Sequence, residues 1–83
     1  MKFVYFAWVR ERIGLGEETR DLPETVRTVG EMLDWLAGQG EEYAHALAHR
    51  SAIRVALDKE HAGHDEAIGN AGEIALFPPM TGG

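Results

Sequence analysis

Gly72-Glu73-Ile74-Ala75-Leu76-Phe77-Pro78-Pro79-Met80-Thr81-Gly82-Gly83 is the stretch on which the reading of this chain turns. Residues 73–77 read as a strand, with Ile74 and Leu76 facing one way and Ala75 and Phe77 the other. Pro78 and Pro79 end it, because neither can donate a ladder hydrogen bond. They also stiffen the chain and fix its exit direction. Residues 80–83 are expected to form a flexible tail beyond a domain of residues 1–79. Gly82 and Gly83 give that tail a side-chain-free end that can thread a narrow channel and take backbone angles closed to other residues. Its chemical handle is the Gly83 α-carboxylate, a poor electrophile until activated, for example as an acyl-adenylate. Nothing in the chain resembles a nucleotide site, so another protein must supply that activation. The competing reading is a frayed terminus that happens to end in glycines.

Moving back along the chain, residues 53–57 alternate as a strand, with Ile53, Val55 and Leu57 on one face, and Asp58-Lys59 begins a turn. Residues 62–72 read as loop. Residues 28–39 are the clearest helix: Thr28 and Glu31 fit a capping box, and Val29, Met32, Leu33 and Leu36 make one apolar stripe. Residues 41–48 predict a second short helix, with Tyr43 and Leu47 one turn apart. Residues 3–9 read as a strand, apolar on both faces: Phe3, Tyr5, Ala7 and Val9 on one, Val4, Phe6 and Trp8 on the other. Residues 10–15 follow as a turn or helical turn, and residues 17–22 as a short polar strand. Strands flanking one main helix predict an α+β architecture with the helix on one face of a mixed sheet. The first and last strands are the most apolar and are expected at the centre. This is the outline of a β-grasp fold.

A domain this small covers one sheet face. If the first and last strands are neighbours, Val4, Phe6, Trp8, Ala75 and Phe77 share the other face. That set is either a binding surface, anchored by Phe6 and Phe77, or a second small core under the loops.

Composition narrows the possibilities. The chain has 83 residues, enough for one small domain. With 14 acids against 8 bases it has no basic stripe for nucleic acid, and an anionic membrane would repel it. Attraction to a basic protein partner remains open. The absence of cysteine excludes disulfides and thiolate zinc sites, and together with the lack of a signal-peptide pattern predicts a cytoplasmic protein. His45 and His49 are spaced i, i+4, and His61 and His64 lie near Asp65 and Glu66, but no third metal ligand is evident at the first pair. The glycines match neither the dinucleotide nor the Walker pattern. No metal, bound cofactor or internal active site is expected.

Three segments carry a resemblance: Phe6-Ala7-Trp8-Val9-Arg10-Glu11-Arg12-Ile13-Gly14, the helix after Thr28, and the ending from Gly72 to Gly83. Together they resemble the small subunit of molybdopterin synthase, the MoaD-type sulfur carrier, a ubiquitin-like β-grasp protein. The resemblance implies that an E1-like adenylyltransferase uses ATP to adenylate the Gly83 carboxylate. A sulfur donor then converts it to a thiocarboxylate, which gives its sulfur to cyclic pyranopterin monophosphate in the large subunit. The catalytic side chains are then the large subunit's. Gly82 and Gly83 are the reactive end, and Phe6, Trp8, Phe77, Pro78, Pro79, Met80 and Thr81 the partner-binding residues. His61 falls where such carriers often place an apolar residue. A carrier for thiamine or tRNA thiolation, a ubiquitin-like modifier and a plain interaction module stay open as alternatives.

Overall fold

The apolar run near the start of the chain splits into two elements. In the computed structural model, which describes residues 1–79, β1 (Lys2–Tyr5) stops after four residues and α1 (Ala7–Ile13) begins. The strand expected over residues 3–9 is therefore corrected. Phe6 is the extended cap residue, and the helix buries Val9 and Ile13, an i, i+4 pair. That helical spacing is masked in the sequence by aromatic and β-branched residues with high strand propensity. Gly14 closes the helix in the left-handed region at φ 91°, its N–H donating to the Arg10 carbonyl.

The remaining elements are β2 (Glu17–Thr19), α2 (Val29–Ala37), α3 (Glu41–Ala46), a 3-10 turn (Arg50–Ala52), β3 (Arg54–Leu57), β4 (Glu60–Ala62) and β5 (Glu73–Phe77). The Thr28–Glu31 capping box forms as expected. The second helix ends at Ala46, with Tyr43 and Leu47 both buried. Residues 60–62, mostly outside any expected element, pair with β3 across a tight Asp58-Lys59 turn in which both residues have positive φ, 48° and 72°.

The strands lie in the order β2-β1-β5-β3-β4. β1 and β5 run parallel and the other pairs antiparallel, so the sheet is mixed with its first and last strands inside it. This is the β-grasp arrangement expected from the sequence. One sheet face carries Phe3, Tyr5, Val55, Ile74 and Leu76 into the core. There they meet Val9 and Ile13 from α1, Val29, Met32, Leu33 and Leu36 from α2, and Tyr43 and Ala46 from α3. Gly30, a weak helix former, sits there for lack of space. A Cβ would come within 3.1 Å of the His64 carbonyl oxygen, which accepts from the Gly30 N–H at 2.7 Å. The loop after β4 thus docks on the start of α2.

A polar knot closes one side of the core. The Tyr5 and Tyr43 hydroxyls both donate to Glu18 Oε2, at 2.7 and 2.6 Å, and Arg20 Nε donates to Glu18 Oε1 at 3.0 Å. Burial pushes the Glu18 carboxyl up, but the hydrogen bonds from Tyr43 and Tyr5 and the Arg20 charge outweigh it and hold it below the ordinary range. Burial, then the bond to Glu18, raises Tyr5, so its hydroxyl stays a donor. A carboxylate with a depressed folded pKa stabilises above its unfolded value, about 4.3, and that stabilisation is lost as pH falls through the folded value. Glu18→Gln should therefore cost roughly 1–3 kcal/mol at neutral pH. It should also flatten the acid limb of stability below about pH 4.3, measured by urea unfolding across pH.

Candidate functional site

The face opposite the core is built by strand alternation. Where Phe3, Tyr5, Ile74 and Leu76 point inward, Val4, Ala75 and Phe77 point outward. Register aligns them across the sheet: Glu17 beside Val4, Val4 beside Ala75, Ala75 beside Ala56, and Ala56 beside His61. Arg54 lies beside Phe77. Together Phe6, Ala56, Lys59, His61, Glu73, Ala75 and Phe77 line an open groove of about 490 Å³.

Phe6 is the clearest anomaly on the surface, a large aromatic 49% exposed. Phe77 is half-buried, and the His61 ring stands edge-on to it with centroids 5.3 Å apart. Charges flank this apolar floor. Lys2 and Glu17 pair at 3.4 Å at one edge. Glu73, on the central β5, lies beside Lys2 in register, and Lys59 and His61 stand toward the β4 edge; none of Lys59, His61 and Glu73 forms an ion pair among the described residues.

Phe6 and Phe77 thus share the outer face, as expected, with Ala75 and Val4. Trp8 does not. Because β1 ends early, Trp8 stands on α1, half-buried against the core, with the Arg12 guanidinium 4.4 Å above its ring. The placement of Trp8 on the sheet face is corrected. Ala56, Lys59 and Glu73 complete the groove and were not singled out from the sequence. Ala56 was within reach, since it alternates with the inward Val55 and Leu57. Lys59 and Glu73 carry no such signal, because the hairpin turn and the register bring them there.

The chain leaves the sheet beside this groove. Phe6 N–H donates to the Leu76 carbonyl at 3.1 Å, which ties the start of α1 to the end of β5. Pro78 and Pro79 follow, both half-buried. Met80, Thr81, Gly82 and Gly83, expected as tail and reactive end, lie outside the described residues.

The histidines do not converge. His45 lies in the last turn of α3 and His49 beyond the helix end, while His64 Nε2 donates to the Ile53 carbonyl at 2.9 Å. No cluster of three metal-ligating side chains occurs among the described residues. Nor, among them, is any helix long and apolar enough to cross a membrane.

Fold and face together define a ubiquitin-like β-grasp protein with one sheet face left open beside the exit of its last strand. A family model described as the ThiS family matches residues 3–83, and the chain belongs to that family. It is 32% identical over 83 residues to the molybdopterin synthase sulfur carrier subunit of Haemophilus influenzae, covering 100% of this chain and 99% of the relative. The Escherichia coli protein of the same description is 32% identical over 85 residues, with the same coverage. Among solved structures, SAMP1 from Haloferax volcanii superposes with a TM-score of 0.72 at 33% identity, covering 100% of this chain and 98% of that one. The resemblance drawn from three segments of the sequence therefore holds along the whole chain.

Proposed function

We infer that this chain is a sulfur carrier acting as the small subunit of a molybdopterin synthase. The observation that carries this reading is its end-to-end similarity to two molybdopterin synthase sulfur carrier subunits. The open apolar face beside the exit of β5 supports it. An E1-like adenylyltransferase joins the Gly83 carboxylate to the AMP part of ATP, with loss of pyrophosphate. Sulfur from a donor then displaces AMP: the C–O bond to the phosphate breaks and a C–S bond forms. Phe6 and Phe77 dock on the large subunit, with Pro78 and Pro79 beside them. Met80 and Thr81 lead Gly82 and Gly83 into its active site. There the sulfur passes to cyclic pyranopterin monophosphate as the Gly83 C–S bond breaks, and oxygen from water restores the carboxylate. This chain binds no cofactor in that cycle and supplies no catalytic side chain.

The test is reconstitution. The thiocarboxylate form, mixed with the large subunit and cyclic pyranopterin monophosphate, should yield molybdopterin, and the plain carboxylate form should not. Equal inactivity of both forms contradicts the reading. The likeness to a small archaeal modifier protein favours one second reading, a ubiquitin-like modifier joined to lysines. Isopeptide-linked products in place of molybdopterin would select it.

A further inference from the structure

We propose that His61 makes docking of the open sheet face proton-dependent: the face closes on its partner with the imidazole neutral and releases as the ring takes a proton. The inference rests on the docking role of this face. His61 lines the groove from β4, the edge strand of the sheet. It pairs in register with Ala56, which adjoins Ala75, and its ring stands edge-on to Phe77, one of the two aromatics of the groove. A partner surface that covers Phe77 therefore meets His61.

Histidine is the side chain that ordinarily changes charge between pH 5 and 8. The groups around His61 decide which form tolerates being covered. Lys59, from the β3–β4 turn, is a like charge lining the same groove. Arg54, from β3, is a second cation beside Phe77. Glu73, from β5, is the acid of the groove, and Asp58, from the β3–β4 turn, lies beside Glu73 and Lys59 with its carboxylate accepting from the Gly72 and Glu73 N–H groups; neither acid makes an ion pair with His61. Glu60 precedes His61 on β4, and strand alternation turns it to the opposite face. An imidazolium sealed under a partner here would be a buried charge with two cations nearby and no counter-ion in contact, a costly arrangement. The neutral ring costs little, since its edge packs on Phe77 as another aromatic would.

Binding then excludes one proton, so affinity should fall between pH 7.5 and 5.5, by at most about tenfold per pH unit. The experiment is isothermal titration of this chain against the large subunit of the molybdopterin synthase from the same organism, at several pH values in that range. Wild type, His61→Leu, His61→Gln and Phe77→Asp are compared. The proposal expects a wild-type affinity that falls with pH and two His61 variants whose affinity is flat, His61→Leu binding tightest at pH 5.5. A wild type that parallels both variants assigns the dependence to the partner and overturns the proposal. So does tighter wild-type binding at low pH, which would mean that a partner carboxylate meets the imidazolium. Phe77→Asp separates the two levels: if it binds like wild type, the docking role of the face fails first.

Discussion

Deleting Gly83 should abolish sulfur transfer, by at least about 10²-fold, while leaving the melting temperature unchanged. Transfer needs the reacting atoms at near-contact distance, and an error of about 1 Å can cost 10²-fold. Removing one extended residue withdraws the terminal carboxylate by roughly 3.3–3.6 Å. The same truncation should also slow adenylation, which is read separately by pyrophosphate release with the activating enzyme. Stability is a different matter, because the buried core among the described residues runs from Phe3 to Leu76. A fall in melting temperature on deletion would instead make the end of the chain part of the fold.

Phe77→Asp should weaken binding to the large subunit by about 2–4 kcal/mol, roughly 30- to 1,000-fold, the range of a central interface aromatic. The substitution removes the ring that His61 packs against and puts a carboxylate on an apolar floor. Phe77 faces away from the core, so circular dichroism should show the variant folded. The inward neighbour gives the contrast: Leu76→Ala, at a fully buried position, should cost about 2–5 kcal/mol of stability. Affinity for Phe77→Asp within a factor of two of wild type would remove this face from the account.

The strands that define the sheet were legible because their alternation is strict. Ile74 and Leu76 against Ala75 and Phe77 gave β5 both its faces, and the two prolines gave its end. The Thr28 capping box located α2 for a local reason, since the four residues from Thr28 to Glu31 contain the whole signal. The first helix was not legible. Phe6, Trp8 and Val9 have strand propensity, and what turns them into cap and helix is tertiary: Val9 and Ile13 find buried places, and the Phe6 N–H finds the Leu76 carbonyl. Trp8 was misplaced on the sheet face for that reason alone.

The candidate site divides along the same line. Phe6 and Phe77 came from alternation plus the assumption that the terminal strands adjoin, which the β1–β5 register supports. Lys59 and Glu73 depend on a hairpin and a crossover that no local pattern specifies. The Glu18 knot was hidden because its partners are 13 and 25 residues away in sequence. A lone acid on a short polar segment reads as surface until Tyr5, Arg20 and Tyr43 are brought to it. His61 was noticed beside His64 and through the resemblance, but its contact with Phe77 is a property of the folded sheet.

The central claim is that the carboxylate of Gly83 carries sulfur. Intact-protein mass spectrometry tests it most directly, on chain incubated with its E1-like adenylyltransferase, ATP and a sulfur donor. The account predicts exchange of one oxygen for one sulfur, confined by fragmentation to the C-terminal residue and absent without ATP. A carboxylate that stays unmodified with an enzyme shown to be active on another carrier would contradict it.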